Sequence, residues 1–434
     1  MGLVGSLSSR SAGTSSSIAT KKPPSSKGSS LFSLLLALAL ASQGQPLPQP
    51  HLALVDANVI DVRTGDVIAG ATVVLQDGNI VSIGTGAPPS DAEIEIIDLE
   101  GAYVLPGLVD AHTHLDSLEQ AERALHSGVT TVRGASVGSY RDVVIGKMTE
   151  AGILAGPEYL GAGVYVTPYI GGGVLADARL MHLAVPIETE DDLRTLVRVN
   201  IENGARVIKT RGTERAGTPT TDPREQVYTS EQLQVVVDEA AKHGISVLCH
   251  AHGDEGARAA VLAGVRSIDH GTYMSEATLL LMKEKGTYFV PTYTTMIDLI
   301  EPGGDYDNPV VKIRGLHMLP HIEETIKRAY AMGIPIVTGA DTSYGPESVV
   351  RITIEMVNFV KLGMTPLEAI RSATVVATEM LGISDRTGVL EVGMEADILV
   401  VSGNPLEDIR AVQDVIVVIS NGRVGLNRLP FGKN

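Results

Sequence analysis

A short apolar run that ends in two histidines decides the fold: Pro106-Gly107-Leu108-Val109-Asp110-Ala111-His112-Thr113-His114. A run of this length and apolar character is expected of a buried strand. In a strand, His112 and His114 are two residues apart and therefore point to the same side. Two imidazoles on one side can bind the same metal ion. The stretch thus predicts a strand whose carboxyl end carries metal ligands.

From this strand to about Leu381, apolar runs alternate with amphipathic stretches. Stretches such as Thr229–Lys242 and His321–Met332 have the residue spacing of helices, with Thr229 or Ser230 as the N-cap of the first. The apolar runs that read as further strands are 129–132, 205–208, 245–248, 265–268, 287–290 and 334–337. Strands and helices that alternate at this spacing predict βαβ units and an α/β fold with parallel strands.

The alternation permits either a doubly wound sheet or a closed barrel, and the polar residues at the strand ends distinguish between these two folds. A doubly wound sheet spreads the ends of its strands along an edge, whereas a (β/α)8 barrel brings them to one face. A single histidine in such a place is more often structural, but here the placement is shared. The metal-compatible residues at the predicted strand ends are His112 with His114, Lys209, His250 with His252, His270 and Asp341. We therefore predict a TIM-like (β/α)8 barrel over residues 106–390, with one shared metal site.

Strand signals without catalytic residues flank the predicted barrel on both sides. Gly65 and Gly78 mark turns between apolar runs in residues 51–105. In residues 391–434, the β-branched runs 396–401 and 415–419 are followed by a turn at Asn421-Gly422. Such runs, bounded by turn residues, are typical of strands. The two segments together predict a small β-sandwich domain built from both chain ends.

Composition narrows the class of substrate. The formal net charge of −17 would repel a phosphate backbone, and the absence of tryptophan with only 4% aromatic residues provides few stacking platforms for bases. We therefore expect no nucleic-acid partner, but a small molecule or a peptide. We also expect a homo-oligomer, although nothing in the sequence defines the number of its subunits.

The first 50 residues predict export and a linker rather than part of the fold. Lys21, Lys22 and Lys27 precede a ten-residue apolar run over 31–40, which ends in the small-x-small pattern Ala39-Leu40-Ala41. A basic flank, a short apolar run and a cleavage pattern are the parts of a secretory signal. The run is short for a membrane span, although an N-terminal anchor stays an alternative. We expect a secreted or periplasmic protein with no stable span after cleavage; the single Cys249 excludes only an intramolecular disulfide.

Several motifs together resemble the amidohydrolase superfamily, in particular the branch of imidazolonepropionases, Xaa-Pro dipeptidases and ochratoxinase. The resemblance extends from about residue 51 to 425. The matching stretches are 106–114, Gly128-Val129-Thr130-Thr131-Val132-Arg133, Val207-Ile208-Lys209, His250-Ala251-His252-Gly253, His270-Gly271, Thr338-Gly339-Ala340-Asp341-Thr342 and Gly393-Met394-Glu395-Ala396-Asp397-Ile398. The resemblance implies a hydrolase that cuts an amide or peptide bond.

The resemblance also implies a role for each of the strand-end residues. His112, His114 and Asp341 would hold a buried metal ion, and His250 and His270 a more exposed one; both ions are expected to be Zn²⁺. Lys209 would bridge them as a carbamate, the product of its neutral amine and CO₂. A hydroxide between the ions would attack the carbonyl carbon, while Asp341 would accept its proton and deliver it to the leaving nitrogen. His252 would face the substrate or support the ligands.

Substrate contacts are expected near the same strand ends. Arg133, Arg211 and Arg215 are candidates for binding a substrate carboxylate, with Arg211 preferred. Tyr228 and Tyr273 are candidate hydrogen-bond donors to the carbonyl or the oxyanion. The segment from Arg211 to Tyr228, rich in Thr, Pro and charge, predicts a lid or specificity loop.

The sequence departs from the related enzymes at two places near these contacts. Gly171-Gly172-Gly173 replaces a Gly-His-Gly-Asp stretch, and Gly134 stands where an Asp is common. Neither change touches the predicted metal ligands. The expected substrate is a dipeptide or an N-acyl amino acid. A deaminase or cyclic-amide hydrolase is the alternative enzyme, although many such deaminases use one metal and lack the bridging lysine. A binding protein that had lost the chemistry would be expected to lack a ligand.

Overall fold

The computed structural model describes residues 51–88, 94–187, 189–348 and 350–429. The predicted signal and linker lie outside these residues. Within the described ranges, no helix is both long and apolar enough to cross a membrane.

In the part of the chain that the structure describes, fifteen strands form three sheets. Two of the sheets contain only parallel pairs, and the third is mixed. The strands are β1 Leu52–Ile60, β2 Val67–Gln76, β3 Asn79–Thr85, β4 Glu95–Asp98, β5 Tyr103–Pro106, β6 Leu108–Thr113, β7 Val129–Gly134, β8 Glu158–Leu160, β9 Ile208–Arg211, β10 Val247–Ala251, β11 Ser267–His270, β12 Tyr288–Val290, β13 Ile398–Val401, β14 Val415–Ser420 and β15 Arg423–Asn427.

The mixed sheet joins the two ends of the described chain. Its order is β15-β14-β13-β5-β1-β2-β3, with β4 also paired to β1. Strand β13 pairs antiparallel with β5, so that Leu399 stands opposite Leu105. One apolar cluster, which includes Leu52, Val104 and Ile398, packs on this sheet. The prediction that both ends build one β-rich unit is therefore realised as a shared eight-stranded sheet, while its arrangement as a two-layer sandwich stays a prediction.

The two parallel sheets carry the predicted strand ends. One has the order β6-β7-β8 and the other β12-β11-β10-β9. Single parallel bridges extend the pairing beyond each sheet: Val166 with Thr210, Phe289 with Ile336, and Thr113 with Thr342. The predicted strand over 334–337 is reduced to the bridge at Ile336, because Pro335 has no N–H to donate to a ladder. In the others, the strand-end residues lie in or directly after their strands.

Among the described residues, eleven α-helices connect the strands. They are α1 Leu118–His126, α2 Arg141–Glu150, α3 Glu190–Asn203, α4 Ser230–Ala241, α5 Asp254–Ala263, α6 Glu276–Lys285, α7 Tyr293–Asp298, α8 Pro309–Ala331, α9 Ile352–Lys361, α10 Pro366–Ser372 and α11 Val375–Leu381; short 3₁₀ helices cover Gly171–Leu175, Ala178–Leu183 and Ile409–Gln413.

Local capping explains where two of these helices begin. Thr229 caps α4 through a capping box with Gln232, as the sequence suggested. Helix α8 begins 12 residues before the predicted start, because the Asn308 side chain accepts hydrogen bonds from two backbone N–H groups of the first turn. Pro320, in the interior of α8, obscured this length in the sequence pattern.

Candidate metal centre

A cavity of about 320 Å³ lies at the carboxyl ends of the parallel strands. It is lined by every residue for which the sequence predicted a role at the metals: His112, His114, Lys209, His250, His252, His270 and Asp341. These residues come from β6, β9, β10, β11 and the loops that follow the strands. The structure therefore brings together side chains that are up to 229 positions apart in the chain.

The first cluster of candidate ligands contains two histidines and one carboxylate. Ligand atoms of His112, His114 and Asp341 all lie within 4.8 Å of one another. The Asp341 Oδ1 atom is 3.1 Å from His114 Nε2 and 3.5 Å from His112 Nε2. Burial raises the pKa of Asp341, but His112, His114 and His270 outweigh burial and hold that pKa well below its ordinary value. This cluster therefore presents an anionic oxygen and two imidazole nitrogens to one point.

The second cluster consists of three imidazoles. Ligand atoms of His250, His252 and His270 lie within 4.8 Å of one another. His252 directly follows the end of β10 at Ala251 and lies two positions after His250, a spacing that places both imidazoles on the same side, toward the cavity. Burial is the main cause that lowers the pKa of all three side chains, for His252 to about 3. They are neutral near pH 7, the protonation state that a metal ligand requires.

Hydrogen bonds to Nδ1 orient four of the imidazoles. His112 Nδ1 lies 2.7 Å from Asp269 Oδ2, and His114 Nδ1 lies 2.6 Å from the Ser136 carbonyl oxygen. Since Nδ1–H donates in both, Nε2 keeps its lone pair for the cavity. Threonine hydroxyl groups contact the Nδ1 atoms of His252 (Thr272, 2.8 Å) and His270 (Thr292, 2.7 Å). The Thr292 hydroxyl donates to the Pro291 carbonyl and therefore accepts from His270, whereas the Thr272 hydroxyl can donate or accept.

His250 has the opposite orientation. Its Nε2 atom lies 3.1 Å from the Glu214 carbonyl oxygen, which only accepts hydrogen bonds. The Nε2–H group of His250 is therefore the donor, and Nδ1 carries the lone pair that a metal can use.

Lys209 lies beside the first cluster and lines the cavity that both clusters face. Its side chain is buried, and its Nζ atom is 3.4 Å from His112 Nε2. Burial lowers the pKa of Lys209 to about 8, although Asp269 and Asp341 act in the opposite direction. With this pKa, roughly a tenth of the Lys209 amine is neutral at pH 7, far more than for an ordinary lysine.

A buried ion pair beneath the first cluster was missed in the sequence. Arg133, a predicted substrate contact, is 2% exposed and donates to Asp269 Oδ2 at 2.8 Å and to the Ala111 carbonyl oxygen at 2.5 Å. Asp269 also accepts from Ser267 Oγ at 2.6 Å. Burial raises the pKa of Asp269, but Arg133 and His112 outweigh it and keep this carboxylate ionised. Arg133 thus supports a ligand and is not available to a substrate.

Backbone conformation also serves the centre. Asp341 and His270 have φ values of 50° and 78°, in the left-handed region that non-glycine residues adopt only occasionally. Asp110 anchors the loop before Asp341: its Oδ1 atom accepts from the Ala340 N–H at 3.0 Å, and its Oδ2 atom from the Tyr344 hydroxyl at 2.8 Å. Strained backbone of this kind persists where surrounding contacts determine it, and it is concentrated at functional sites.

The predicted substrate contacts are less uniformly placed. Arg211, Tyr228 and Tyr273 do not line the cavity. The Arg211 guanidinium pairs with Glu214 at 3.0 Å, and the Tyr273 hydroxyl contacts His317 Nδ1 at 2.9 Å. The Tyr228 hydroxyl is buried without a hydrogen-bond partner among the described residues. Their roles toward a substrate stay predictions.

Other side chains line the cavity that the sequence indicated weakly or not at all. Arg215 stands in the wall, in the segment expected to be a specificity loop. Tyr165 and Tyr306 also line it, and the Tyr165 hydroxyl is buried without a hydrogen-bond partner among the described residues. Tyr306 belongs to the connection between α7 and α8, which has neither a motif nor a periodic pattern that pointed to the site.

Comparison with known proteins finds a family profile and curated relatives that match most of the chain. The sequence profile of the amidohydrolase family matches residues 103–425. The chain is 28% identical to an ochratoxinase of Aspergillus niger over 415 residues, and this alignment covers 84% of each chain. An imidazolonepropionase of a Geobacillus species is 24% identical over 377 residues, covering 77% of this chain and 84% of the relative.

Solved structures agree in fold. A Xaa-Pro dipeptidase with methionine bound in its active site superposes with a TM-score of 0.78 at 28% identity, over 86% of this chain and 99% of the other. The structure of the Aspergillus niger ochratoxinase superposes with a TM-score of 0.74 at 24% identity, over 88% of this chain and 96% of the other.

Proposed function

The chain belongs to the amidohydrolase family, and from this membership we propose that it is a binuclear metal-dependent hydrolase of an amide or peptide bond. The observation that carries the proposal is the pair of ligand clusters facing one cavity. Four imidazoles are fixed with Nε2 toward that cavity and the fifth with Nδ1 free. Nitrogen and carboxylate donors of this kind suit Zn²⁺.

The proposed ligand sets follow from these donors. His112, His114 and Asp341 hold one ion. His250, through Nδ1, and His270, through Nε2, hold the second. His252 is left to contact the substrate, although its place beside these two histidines also permits a ligand role. Two divalent ions at such a centre polarise the carbonyl group and lower the pKa of water.

Lys209 is proposed to bridge the two clusters as a carbamate. The two neutral imidazoles proposed as ligands would bring no negative charge to the second ion, and a lysine ammonium beside two cations would be repelled. Reaction of the neutral amine with CO₂ would release one proton and give an anionic oxygen ligand; counted from the ammonium, two protons are released. The buried position of Lys209 and its lowered pKa, to about 8, support this step.

Asp341 is the proposed proton carrier. Its carboxylate faces the cavity at the end of a strained turn, where it can take the proton of the attacking water and deliver it to the leaving nitrogen. The buried Tyr165 hydroxyl in the wall, and the predicted donors Tyr228 and Tyr273, are the candidates for stabilising the oxyanion.

We propose that the two parallel sheets form one (β/α)8 barrel. The three single bridges support this, since they connect the outer strands of the two sheets to each other through the segments around Val166, Ile336 and Thr342. The proposed domains are the barrel over 106–390 and a β-sandwich from 51–105 and 391–434. The proposal includes export directed by residues 1–50, and a homo-oligomer.

The test is metal content together with a substrate panel. Plasma mass spectrometry on the purified protein is expected to give about two zinc ions per chain. Hydrolysis is measured on dipeptides and N-acyl amino acids, with a cyclic amide and an aminopurine to detect the alternative activities. One ion per chain, with turnover of the aminopurine alone, would contradict the proposal and establish the deaminase.

A further inference from the structure

Three arginines near the strand ends differ in what already neutralises them. Arg133 is sealed under the first cluster by Asp269, and Arg211 pairs with Glu214. Arg215 lines the cavity, and its guanidinium makes neither an ion pair nor a hydrogen bond with any described residue. A guanidinium presented to a cavity without a partner is a ready site for a carboxylate, which it can bind through two parallel hydrogen bonds.

Arg215 is exposed and lies where two cavities meet. A second cavity adjoins the first and shares His114, Arg215, Tyr306 and Asp341 with it. Asp305 and Glu347 line this second cavity, but neither comes within 4.0 Å of Arg215. Arg215 therefore stands at the junction of the two cavities, next to the Asp341 end of the metal centre.

A second arginine, Arg314 of α8, fixes the loop that carries Arg215. Its guanidinium donates to four backbone carbonyl groups of this one loop: Ala216, Thr218 (2.8 Å), Pro219 (3.4 Å) and Thr221 (2.5 Å). The planar guanidinium has five N–H donors and can bind several acceptors at once, whereas the ammonium group of a lysine has three donors on one nitrogen and cannot reach the same set of carbonyl groups. Tyr306 closes on the same loop, since a Cβ at Gly217 would lie 2.5 Å from its ring.

We propose that Arg215 binds a free carboxylate of the substrate and that Arg314 is a positioning residue which holds the Arg215 loop against the cavity. The inference rests on the proposed function and narrows it to amides that carry a free carboxylate. Apolar wall residues favour an apolar group beside that carboxylate: Val164, Ile170, Met296 and Leu299.

The experiment compares acid and amide forms of one compound. N-acetyl-L-leucine and N-acetyl-L-leucinamide are assayed for hydrolysis, and their binding to the metal-loaded full chain is measured by calorimetry. Wild type is expected to prefer the acid. Arg215→Gln is expected to lower kcat/KM for the acid by about 10- to 100-fold, mainly through KM, and to leave the amide within about threefold, because one charge-assisted contact is lost.

The matched control is Arg224→Gln. Arg224 belongs to the same loop segment, is exposed and is paired with Asp222, and it lies outside the cavity. This variant should keep the acid preference of wild type. An equal loss in Arg215→Gln for acid and amide, or a loss of the acid preference in Arg211→Gln alone, would overturn the proposal.

Arg314 is tested by the same preference for the acid over the amide. A general loss of structure would lower the hydrolysis of both compounds and leave this preference unchanged. Arg314→Met is expected to raise KM for the acid about tenfold with kcat within about threefold, and Arg314→Lys to recover little of the loss. Combined with Arg215→Gln, Arg314→Met should add almost nothing, since both act on one contact. Additive losses would overturn the positioning role.

Calorimetry separates this inference from the proposed function. If wild type hydrolyses neither compound nor any member of the wider panel, the proposed hydrolase fails. In that case, binding of N-acetyl-L-leucine that is lost in Arg215→Gln still supports the carboxylate site, and binding that does not depend on Arg215 refutes it.

Discussion

The two ligand clusters of the cavity are built differently. His112 and His114 share their cluster with the carboxylate of Asp341, whereas the second cluster contains only the imidazoles of His250, His252 and His270. The outer contacts differ in the same sense. A buried carboxylate, that of Asp269, orients His112, while threonine hydroxyl groups orient His252 and His270.

This difference teaches that charge, not the number of donors, limits the second cluster. Three neutral imidazoles can bind a divalent ion, but they leave its charge uncompensated in a buried site. The first cluster carries its own anion, and under the proposed function the second ion would receive one from a carboxylated Lys209, which lies beside His112.

Loss of the bridge should have the largest effect. Lys209→Ala is expected to reduce the metal content from about two ions to about one, and kcat/KM by at least about 10³-fold, because several kcal/mol of transition-state stabilisation depend on the second ion. Plasma mass spectrometry and steady-state kinetics measure both. Lys209→Glu supplies a carboxylate without CO₂ and is the control, expected to retain more metal than Lys209→Ala. Two ions in Lys209→Ala would show that the imidazoles suffice.

The roles of His250 and His252 should separate next. His250→Asn removes a proposed ligand, so the second ion should be lost and activity should fall with it. His252→Asn should retain about two ions and lose about 10- to 100-fold in kcat, as for a group that acts on the substrate. Metal analysis of both variants distinguishes them. If His252→Asn also loses the second ion, the ligand set is the three-histidine cluster.

Outer contacts should matter more in the first cluster. Asp269→Asn, combined with Arg133→Met so that no buried cation is left unpaired, is expected to weaken binding of the first ion by about 10- to 100-fold. Thr292→Val, which removes the hydroxyl that orients His270, should weaken the second ion less. Competition with a zinc chelator gives both affinities. Equal effects would mean that a carboxylate and a hydroxyl orient the ligands equally well.

The smallest expected effect lies outside the cavity, at Asp397, which directly precedes β13 and contacts the loop after β14. Burial raises the pKa of Asp397 to about 7, although hydrogen bonds from the Asn421 N–H and the Thr387 hydroxyl act against it. Because the folded state then binds this proton more tightly than the unfolded chain, wild-type stability should fall as the pH rises from about 4 to about 7. Asp397→Asn lacks this titration.

Thermal unfolding at several pH values tests that expectation. Asp397→Asn should match wild type near pH 4 and exceed it by about 1–3 kcal/mol at pH 8. Hydrolysis at pH 8 serves as the control, since Asp397 lies far from the proposed chemistry and the variant should keep its activity. A constant difference in stability across the pH range would contradict the raised pKa.

The sequence predicted the site residues that lie at strand ends, but not the contacts that these residues make with one another. Strand-end residues such as His112 and Lys209 were predictable, because parallel strands must bring their carboxyl ends together. His252 was placed just beyond the end of β10, but the stacking of its ring on His270 joins two separate strand ends and could not be predicted from the spacing. The ion pair of Arg133 with Asp269 joins residues 136 positions apart that belong to no common motif, so the sequence could not reveal it.

Loops set the limit of the fold prediction as well. Strand β9 is Ile208–Arg211 where the sequence placed 205–208, since an apolar run does not show which of its residues find partners. Helix α8 extends back to Pro309, because a cap at Asn308 outweighed the weak periodicity. Tyr306 reaches the cavity through a connection without regular structure, and no periodic signal marks such a residue.

The pairing of β13 with β5 bears on the order in which the chain can be made and folded. These two strands are separated by almost the whole barrel segment, so the mixed sheet cannot close until the ribosome has synthesised residues 398–401. Contacts between positions so distant form late and slowly. A nascent chain that lacks its last strands therefore exposes the apolar edge of β5, and a stop codon shortly before residue 398 should yield a product recognised by chaperones and proteases.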